Sequence, residues 1–118
     1  MDYKKLYSEL TKKLENEIPI TAYPVRELLP VFRNNGKPIT LKTKLTITGV
    51  INSGDISGIL CTVMESKENV IACSLTHLIF EPQCPLYKDI ISYQQKRFKR
   101  IEQLNRMSLS YLARNYQL

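Results

Sequence analysis

The chain has 118 residues, of which 43% are apolar and 24% charged, and it carries a net charge of +6. These proportions are those of an ordinary globular protein, and the length suits one domain over residues 1–118. They exclude a membrane-spanning chain, since the longest near-apolar run, residues 70–80, is far shorter than the roughly 20 residues that a bilayer needs. The first residues lack the apolar core of a secretion signal, and three cysteines without framework spacing suit a reducing compartment. The sequence therefore predicts a cytoplasmic protein.

A helix is the first predicted element. Asp2 suits its N-cap, because a carboxylate there can accept a backbone N–H of the first turn. The apolar residues that follow step by three and four along the chain, which places them on one face of a helix: Tyr3, Leu6, Tyr7, Leu10 and Leu14. The lysines lie off that face, and Pro19 marks the end of the helix.

The segment at residues 24–34 is predicted to begin with a short helix. Its first residue is a proline, which suits the first turn of a helix, and Val25, Leu28 and Leu29 would then face inward. Pro30 should prevent any longer helix, because it lacks a backbone N–H and clashes with the preceding turn.

Three strands are predicted after this segment. In residues 39–47, apolar side chains alternate with threonine and lysine, which is the pattern of a strand with one buried and one solvated face. A second strand should span residues 56–65 and a third residues 70–80, both mostly apolar and therefore more fully buried. Short polar turns join them, which predicts a three-stranded antiparallel meander.

A lone meander cannot hide its apolar face from water. The helices on either side of it must therefore cover that face, or the sheet must close toward a small barrel of the SH3-like kind. The predicted fold class is α+β, with a three-stranded antiparallel meander or small SH3-like barrel flanked by an N-terminal helix and a long C-terminal amphipathic helix.

The last predicted element is that long amphipathic helix, over residues 86–116. At about 100° per residue, twelve of its apolar side chains fall within an arc of roughly 160°, and most of its basic side chains lie opposite. Arg97 is the exception, because it lies at the edge of the apolar arc. A charged group in that position must either reach solvent or meet an acceptor.

Three cysteines (Cys61, Cys73 and Cys84) and the single histidine, His77, have the composition of a structural zinc site. Cys73 and His77 lie four residues apart in the third predicted strand, however, which would separate them by roughly 13 Å. The same separation argues against a thiol–imidazole pair, and neither a Cys-x-x-Cys pair nor a phosphate-binding glycine motif is present. We therefore predict no metal site, no cofactor, no disulfide and no enzymatic activity.

The positive charge is concentrated in the last predicted helix. From Leu86 onward there are seven lysines and arginines against two acidic residues, a balance of +5, whereas the first 85 residues carry only +1. A basic helix face suits phosphate binding, because each neutralised phosphate releases counterions. We predict that duplex nucleic acid contacts four residues of this face: Lys96, Lys99, Arg100 and Arg106. The alternative is that this face is only solvated surface, as basic helix faces often are.

A protein partner is the second functional hypothesis. A helix of about 30 residues would be roughly 45 Å long and would extend past a three-stranded sheet. The apolar side chains near its end would then be exposed to an acidic or apolar protein partner, or to a second copy in a homodimer. The residues predicted for that contact are Tyr111, Leu112 and Tyr116. On this interpretation the protein is an adaptor or assembly protein.

Overall fold

The computed structural model describes residues 2–36 and 38–116, apart from the side chains of Asn35 and Tyr116. In these ranges the helices are α1 (Tyr3–Glu15), α2 (Leu29–Asn35), α3 (Gly54–Ser57) and α4 (Tyr87–Tyr116). The strands are β1 (Ile20–Pro24), β2 (Leu45–Asn52), β3 (Ile59–Ser66), β4 (Asn69–Ser74) and β5 (Leu78–Ile79). Short 3₁₀ turns occupy Arg26–Leu28 and Leu75–His77. None of the helices within the described ranges is long and apolar enough to span a membrane.

The strands form one antiparallel sheet with the order β4-β3-β2-β1-β5, curled into a half-barrel. A short 3₁₀ turn carries the chain from β4, at one edge, to β5, at the other. In a flat sheet, four strand spacings would hold these edges about 19 Å apart. The chain from Ser74 to Leu78 can span at most about 14 Å. The short connection therefore requires the sheet to curl until its edges approach each other.

The predicted α+β class is confirmed, but the prediction of three strands is wrong because the sheet has five. One of the two additional strands, β1, is unpredicted, and the other, β5, comes from the division of the third predicted strand. In β1 the buried positions are held by Ile20, Ala22 and Pro24, so the alternation of burial is not matched by a clear alternation of hydrophobicity. β5 has only two residues and lies within the third predicted strand, at residues 70–80, which the sequence pattern presents as continuous.

The first predicted strand, at residues 39–47, is present with different boundaries. β2 begins at Leu45 and continues to Asn52. The preceding residues form a turn, in which the backbone N–H of Thr43 donates to the carbonyl of Thr40 at 3.0 Å. This local hydrogen bond replaces the strand pairing that the alternating pattern predicts.

The third predicted strand, at residues 70–80, is interrupted after Ser74. The Ser74 hydroxyl accepts a hydrogen bond from the backbone N–H of Thr76 at 3.2 Å and so starts a 3₁₀ turn. The prediction that Cys73 and His77 lie along one straight strand is therefore wrong. The residues beyond the turn pair with β1 at the opposite edge of the sheet.

The short helix predicted at residues 24–34 has a different form. A 3₁₀ turn leads into α2, and Pro30 lies in the first turn of α2. Because the first turn of a helix leaves its N–H groups unpaired in any case, a proline costs nothing there. The prediction that Pro30 ends the helix is wrong: α2 continues to Asn35 and buries Phe32 completely.

α1 packs over the half-barrel with the predicted cap in place. The Asp2 carboxylate accepts the backbone N–H of Lys5 at 3.0 Å. The apolar face of α1 buries Tyr7, Leu10 and Leu14 in the same core as the buried side chains of β2 and β3. The hydrophobic effect of this shared core therefore holds the helix on the sheet.

α4 confirms the predicted long helix and runs antiparallel to α1. The Tyr3 hydroxyl donates to the Gln103 side chain at 3.5 Å, and the Lys13 ammonium lies 3.3 Å from the Asp89 carboxylate. Every side chain at residues 105–115 is exposed. At 1.5 Å per residue, the last turns of α4 therefore extend past α1 and the core by roughly 17 Å.

Replacing Gly58 with alanine should destabilise the fold more than replacing Gly54. Both glycines have a positive φ, 70° and 81°, which costs any other residue about 1–2 kcal/mol. A β-carbon at Gly58 would also lie 2.6 Å from the Tyr93 hydroxyl and 2.8 Å from the Arg97 Nε, whereas nothing lies within 4 Å at Gly54. We expect the free energy of unfolding in urea to fall by about 1 kcal/mol for Gly54→Ala and by roughly 2–4 kcal/mol for Gly58→Ala. Equal decreases would show that the packing around Gly58 tolerates a methyl group.

Candidate binding surface at the end of the last helix

A buried arginine fixes the long helix to the half-barrel. Only 3% of Arg97 is exposed. Its guanidinium donates to the Tyr7 hydroxyl at 3.0 Å, to the Asp55 carbonyl at 2.6 Å and to the Ile56 carbonyl. Of the two predicted outcomes for Arg97, solvent or an acceptor, the structure shows the second. Because a buried cation without partners would be very costly, these contacts fix α4 against α1 and α3.

Tyr93, one turn earlier on α4, supports the same junction. Its hydroxyl accepts the backbone N–H of Ile59 at 2.8 Å, and its ring packs edge-on against Tyr7 with the centroids 5.5 Å apart. Burial raises the pKa of Tyr93 to about 12, above its ordinary value of 10.0, because the phenolate would be poorly solvated there. Tyr93 and Arg97 together hold α4 at the beginning of β3.

Arg100 continues this junction toward the surface. Its guanidinium forms a two-pronged ion pair with the Asp55 carboxylate, with Nε 2.9 Å from Oδ1, and lies over the Tyr3 ring at 5.0 Å. The hydrogen bonds from Arg100 hold the pKa of Asp55 below its ordinary value. The charge of Arg100 is thus already matched by a carboxylate, which reduces what it can offer to a phosphate.

The other three residues predicted for phosphate binding differ in their exposure. Lys99 and Arg106 are exposed, and Lys96 is half-buried in a groove beside α1. Lys99 and Arg106 are seven residues apart and so share a side of the helix. Arg106 also lies 3.5 Å from Glu102, in an exposed ion pair that contributes little stability. The structure therefore sets Arg100 apart from the other three.

The apolar side chains at the end of α4 form an exposed patch. Leu104, Met107, Tyr111 and Leu112 adjoin Ile56 of α3, and together they line an open groove of about 490 Å³. The exposed fractions are 78% for Ile56, 60% for Met107 and Tyr111, and 38% for Leu112. We call these five residues the overhang patch. Adjoining apolar side chains with this exposure are typical of a contact site.

Two of the residues predicted for partner contact, Tyr111 and Leu112, belong to the overhang patch. The side chain of the third, Tyr116, lies outside the described part of the structure. Helical spacing alone could have predicted the other two patch residues of α4, since they lie seven and four residues before Tyr111. Ile56 could not be predicted in this way, because the sequence pattern assigns it to the start of a strand and the structure places it in α3.

The cysteines and the histidine lie in different environments. Cys61 and Cys73 are opposite each other on β3 and β4 as buried free thiols, and burial raises the pKa of each to about 12. His77 is exposed, and Cys84 is half-buried beyond β5. Within the described residues, no group of three or more histidine, cysteine or acidic side chains could hold a metal ion. Thiols with so high a pKa stay protonated, which makes Cys61 and Cys73 poor nucleophiles.

Comparison with known proteins assigns no family to this chain. No protein-family model, no curated protein and no solved structure matches it. A half-barrel with flanking helices does not by itself define a function, so function has to be inferred from the surface of α4.

Replacing Asp55 with asparagine should lower the stability of the protein at neutral pH. Arg100 stabilises the carboxylate, so the pKa of Asp55 is lower in the folded chain than its ordinary value of 3.8. The resulting stabilisation is complete well above pH 3.8 and is lost as the pH falls through the folded pKa. We expect the variant to unfold at a lower temperature than the parent at pH 7, and the difference to shrink below about pH 4.

The matched control for this measurement is Asp89→Asn, which removes the exposed ion pair with Lys13. Exposed pairs contribute little, so the control should unfold close to the parent temperature. A difference between Asp55→Asn and the parent that stays constant from neutral to acidic pH would show that the destabilisation has another origin than the carboxylate charge.

Proposed function

We propose that this protein is a non-enzymatic binding protein that contacts another protein through the overhang patch, as an adaptor or assembly protein. The observation that carries this proposal is the extension of α4 past the core with apolar side chains exposed at residues 107–112. Because Tyr93 and Arg97 fix the earlier part of the helix, the patch has a defined position relative to the half-barrel. A partner can therefore bind it without first ordering the chain.

The overhang patch is large enough to contribute substantially to a complex. Fully burying a large apolar side chain contributes about 1.5–3 kcal/mol. The patch has five such side chains, several of them more than half exposed. After the cost of association, burial of most of them is compatible with binding in about the micromolar range.

We propose further that the half-barrel is a form of small SH3-like barrel, which the short turn joining the two edge strands supports. We also propose that the protein acts in the cytoplasm, which the three free thiols favour because disulfides are rare there.

Replacing Met107 and Leu112 together with serine should remove partner binding without unfolding the protein. Both side chains are exposed, so the midpoint of thermal unfolding should change by less than about 2 °C. Each apolar side chain removed should weaken the complex by about 1–2 kcal/mol, so the double variant should bind roughly 30-fold to 1000-fold more weakly. The measurement compares the proteins that immobilised parent and variant retain from a cell extract, together with the mass of each in solution by light scattering.

The matched control replaces Val31 and Ile51 with serine, because both are exposed apolar side chains outside the overhang patch. It should retain the same proteins as the parent. Equal retention by the two double variants would contradict the proposal. A parent that retains no protein and remains a monomer at high concentration would contradict it as well.

Nucleic acid is the second candidate partner, and the exposed basic side chains of α4 favour it. Lys99 and Arg106 share one side of the helix, and Lys96 lies at the margin of α1. Such a row suits phosphates, which need positive charge more than exact geometry. Arg100 contributes less, because its guanidinium is held by Asp55.

If nucleic acid is the partner, replacing Lys96, Lys99 and Arg106 with glutamine should weaken binding to duplex DNA. The slope of log K against log salt should fall by about 0.9 for each phosphate that the variant no longer neutralises. Arg100 is kept in this variant, because its replacement would also break the ion pair with Asp55. Glutamine has good helix propensity, so the fold should be preserved. The measurement is the fluorescence anisotropy of a labelled duplex at several salt concentrations.

The matched control removes the same charge from α1, with Lys4, Lys5 and Lys12 replaced by glutamine. All three lysines are exposed. A site on α4 predicts that the control binds nearly as well as the parent. Equally weakened binding in the two variants, or no binding by the parent at roughly 100 mM salt, would count against nucleic acid.

A further inference from the structure

Resting on the proposed function, we infer that the overhang patch docks into an apolar groove with an acidic rim on a different protein. Two independent features of α4 define the chemistry of this partner. One is the spacing of the apolar side chains, and the other is the sign of the charges beside them.

The apolar side chains have the spacing of a helix that lies in a groove. Leu104, Met107 and Tyr111 recur at intervals of three and four residues, and Leu112 adjoins the last. Such positions share one side of a helix, which a groove can cover as a unit. Ile56 widens that side, because it stands beside Leu104 and Met107 and is 78% exposed. A flat polar surface would leave most of these side chains in water.

The charges beside the overhang patch are positive. Arg106 and Arg114 are exposed on the part of α4 beyond the core. The sequence has no aspartate or glutamate from Gln103 to Leu118. The two arginines are eight residues apart, so about two helical turns separate them, and both line an open groove together with Met107 and Tyr111 of the patch. Acidic side chains on the rim of a groove would form charge-assisted hydrogen bonds with both, whereas basic side chains there would be repelled.

A second copy of this chain fits these features less well. The carboxylates of Asp55, which precedes Ile56 in the chain, and of Glu102 already pair with Arg100 and Arg106. A second copy would therefore set these already paired carboxylates against the arginines and would join two chains of net charge +6. A nucleic-acid duplex would match the arginines but leave the apolar side chains exposed. An acidic-rimmed groove is the occupant that satisfies both features.

The experiment places the photocrosslinking amino acid p-benzoylphenylalanine at Tyr111 of the full chain, in the cells that produce the protein. Tyr111 is suitable because it is aromatic and 60% exposed. The control position is Val31, an exposed residue of α2. After irradiation, adducts are isolated under denaturing conditions, and the crosslinked segment is identified by mass spectrometry.

We expect an adduct from the crosslinker on α4 and none from the control position. The crosslinked segment should line an apolar groove bordered by aspartate and glutamate. Replacing Arg106 and Arg114 with glutamine should lower the yield roughly fivefold or more, because both charges that attract the rim are removed. Removing the same charge from α1, with Lys4→Gln and Lys12→Gln, should leave the yield unchanged.

An adduct with a second copy of the chain, with nucleic acid or with a surface that lacks acidic side chains would overturn the inference. A yield that the arginine substitutions leave unchanged would also overturn it. Failure of the proposed function gives a different result, because the crosslinker on α4 would then produce no adduct beyond that of the control position.

Discussion

The position of α4, and with it each surface considered for binding, depends on the burial of one cation. A guanidinium has five N–H donors, and away from water each needs an acceptor. For Arg97 the acceptors are the Tyr7 hydroxyl and the carbonyls of Asp55 and Ile56. They belong to α1 and to α3, so one side chain joins three helices. The nearby carboxylate of Asp55 adds a favourable field, since Arg97 also contributes to lowering the pKa of Asp55.

The short helix α3 links the buried Arg97 to the overhang patch. Its carbonyls accept from Arg97, its Asp55 carboxylate pairs with Arg100, and its Ile56 side chain stands in the overhang patch. A partner on the patch would therefore contact, through Ile56, the same short helix that holds α4 in place. Gly58 follows this helix, and a β-carbon there would lie only 2.6 Å from the Tyr93 hydroxyl, so a larger residue would have to displace that side chain. The contacts that hold Arg97 and part of the overhang patch thus belong to the same short helix.

The long helices are the predictable part of this fold, because the information that specifies them is local. The Asp2 cap and the spacing of apolar residues define α1, and the same spacing over 30 residues defines α4. β1 and β5 depend instead on pairing with distant residues, Ile20 with Ile47 and Tyr23 with Ile79. The five residues of β1 are too few for a clear period, so the sequence pattern does not reveal this strand, and the apolar run at residues 70–80 does not reveal that β5 separates from β4.

The candidate site likewise has features that the local sequence predicts and features that depend on distant residues. The exposure of Tyr111 and Leu112 follows from the length of α4, which can be read along the chain. Whether each basic residue of α4 is exposed, buried or paired cannot be predicted from its position along the chain. Arg97 and Arg100 contact partners that are more than 40 residues away in sequence. Counting the lysines and arginines of α4 overstates the charge that a ligand meets, since Arg97 is buried and both Arg100 and Arg106 are paired with carboxylates. Beyond the core, Met107, Tyr111 and Leu112 are exposed beside Ile56, which is why the proposed contact surface rests on the apolar side chains more than on the charge.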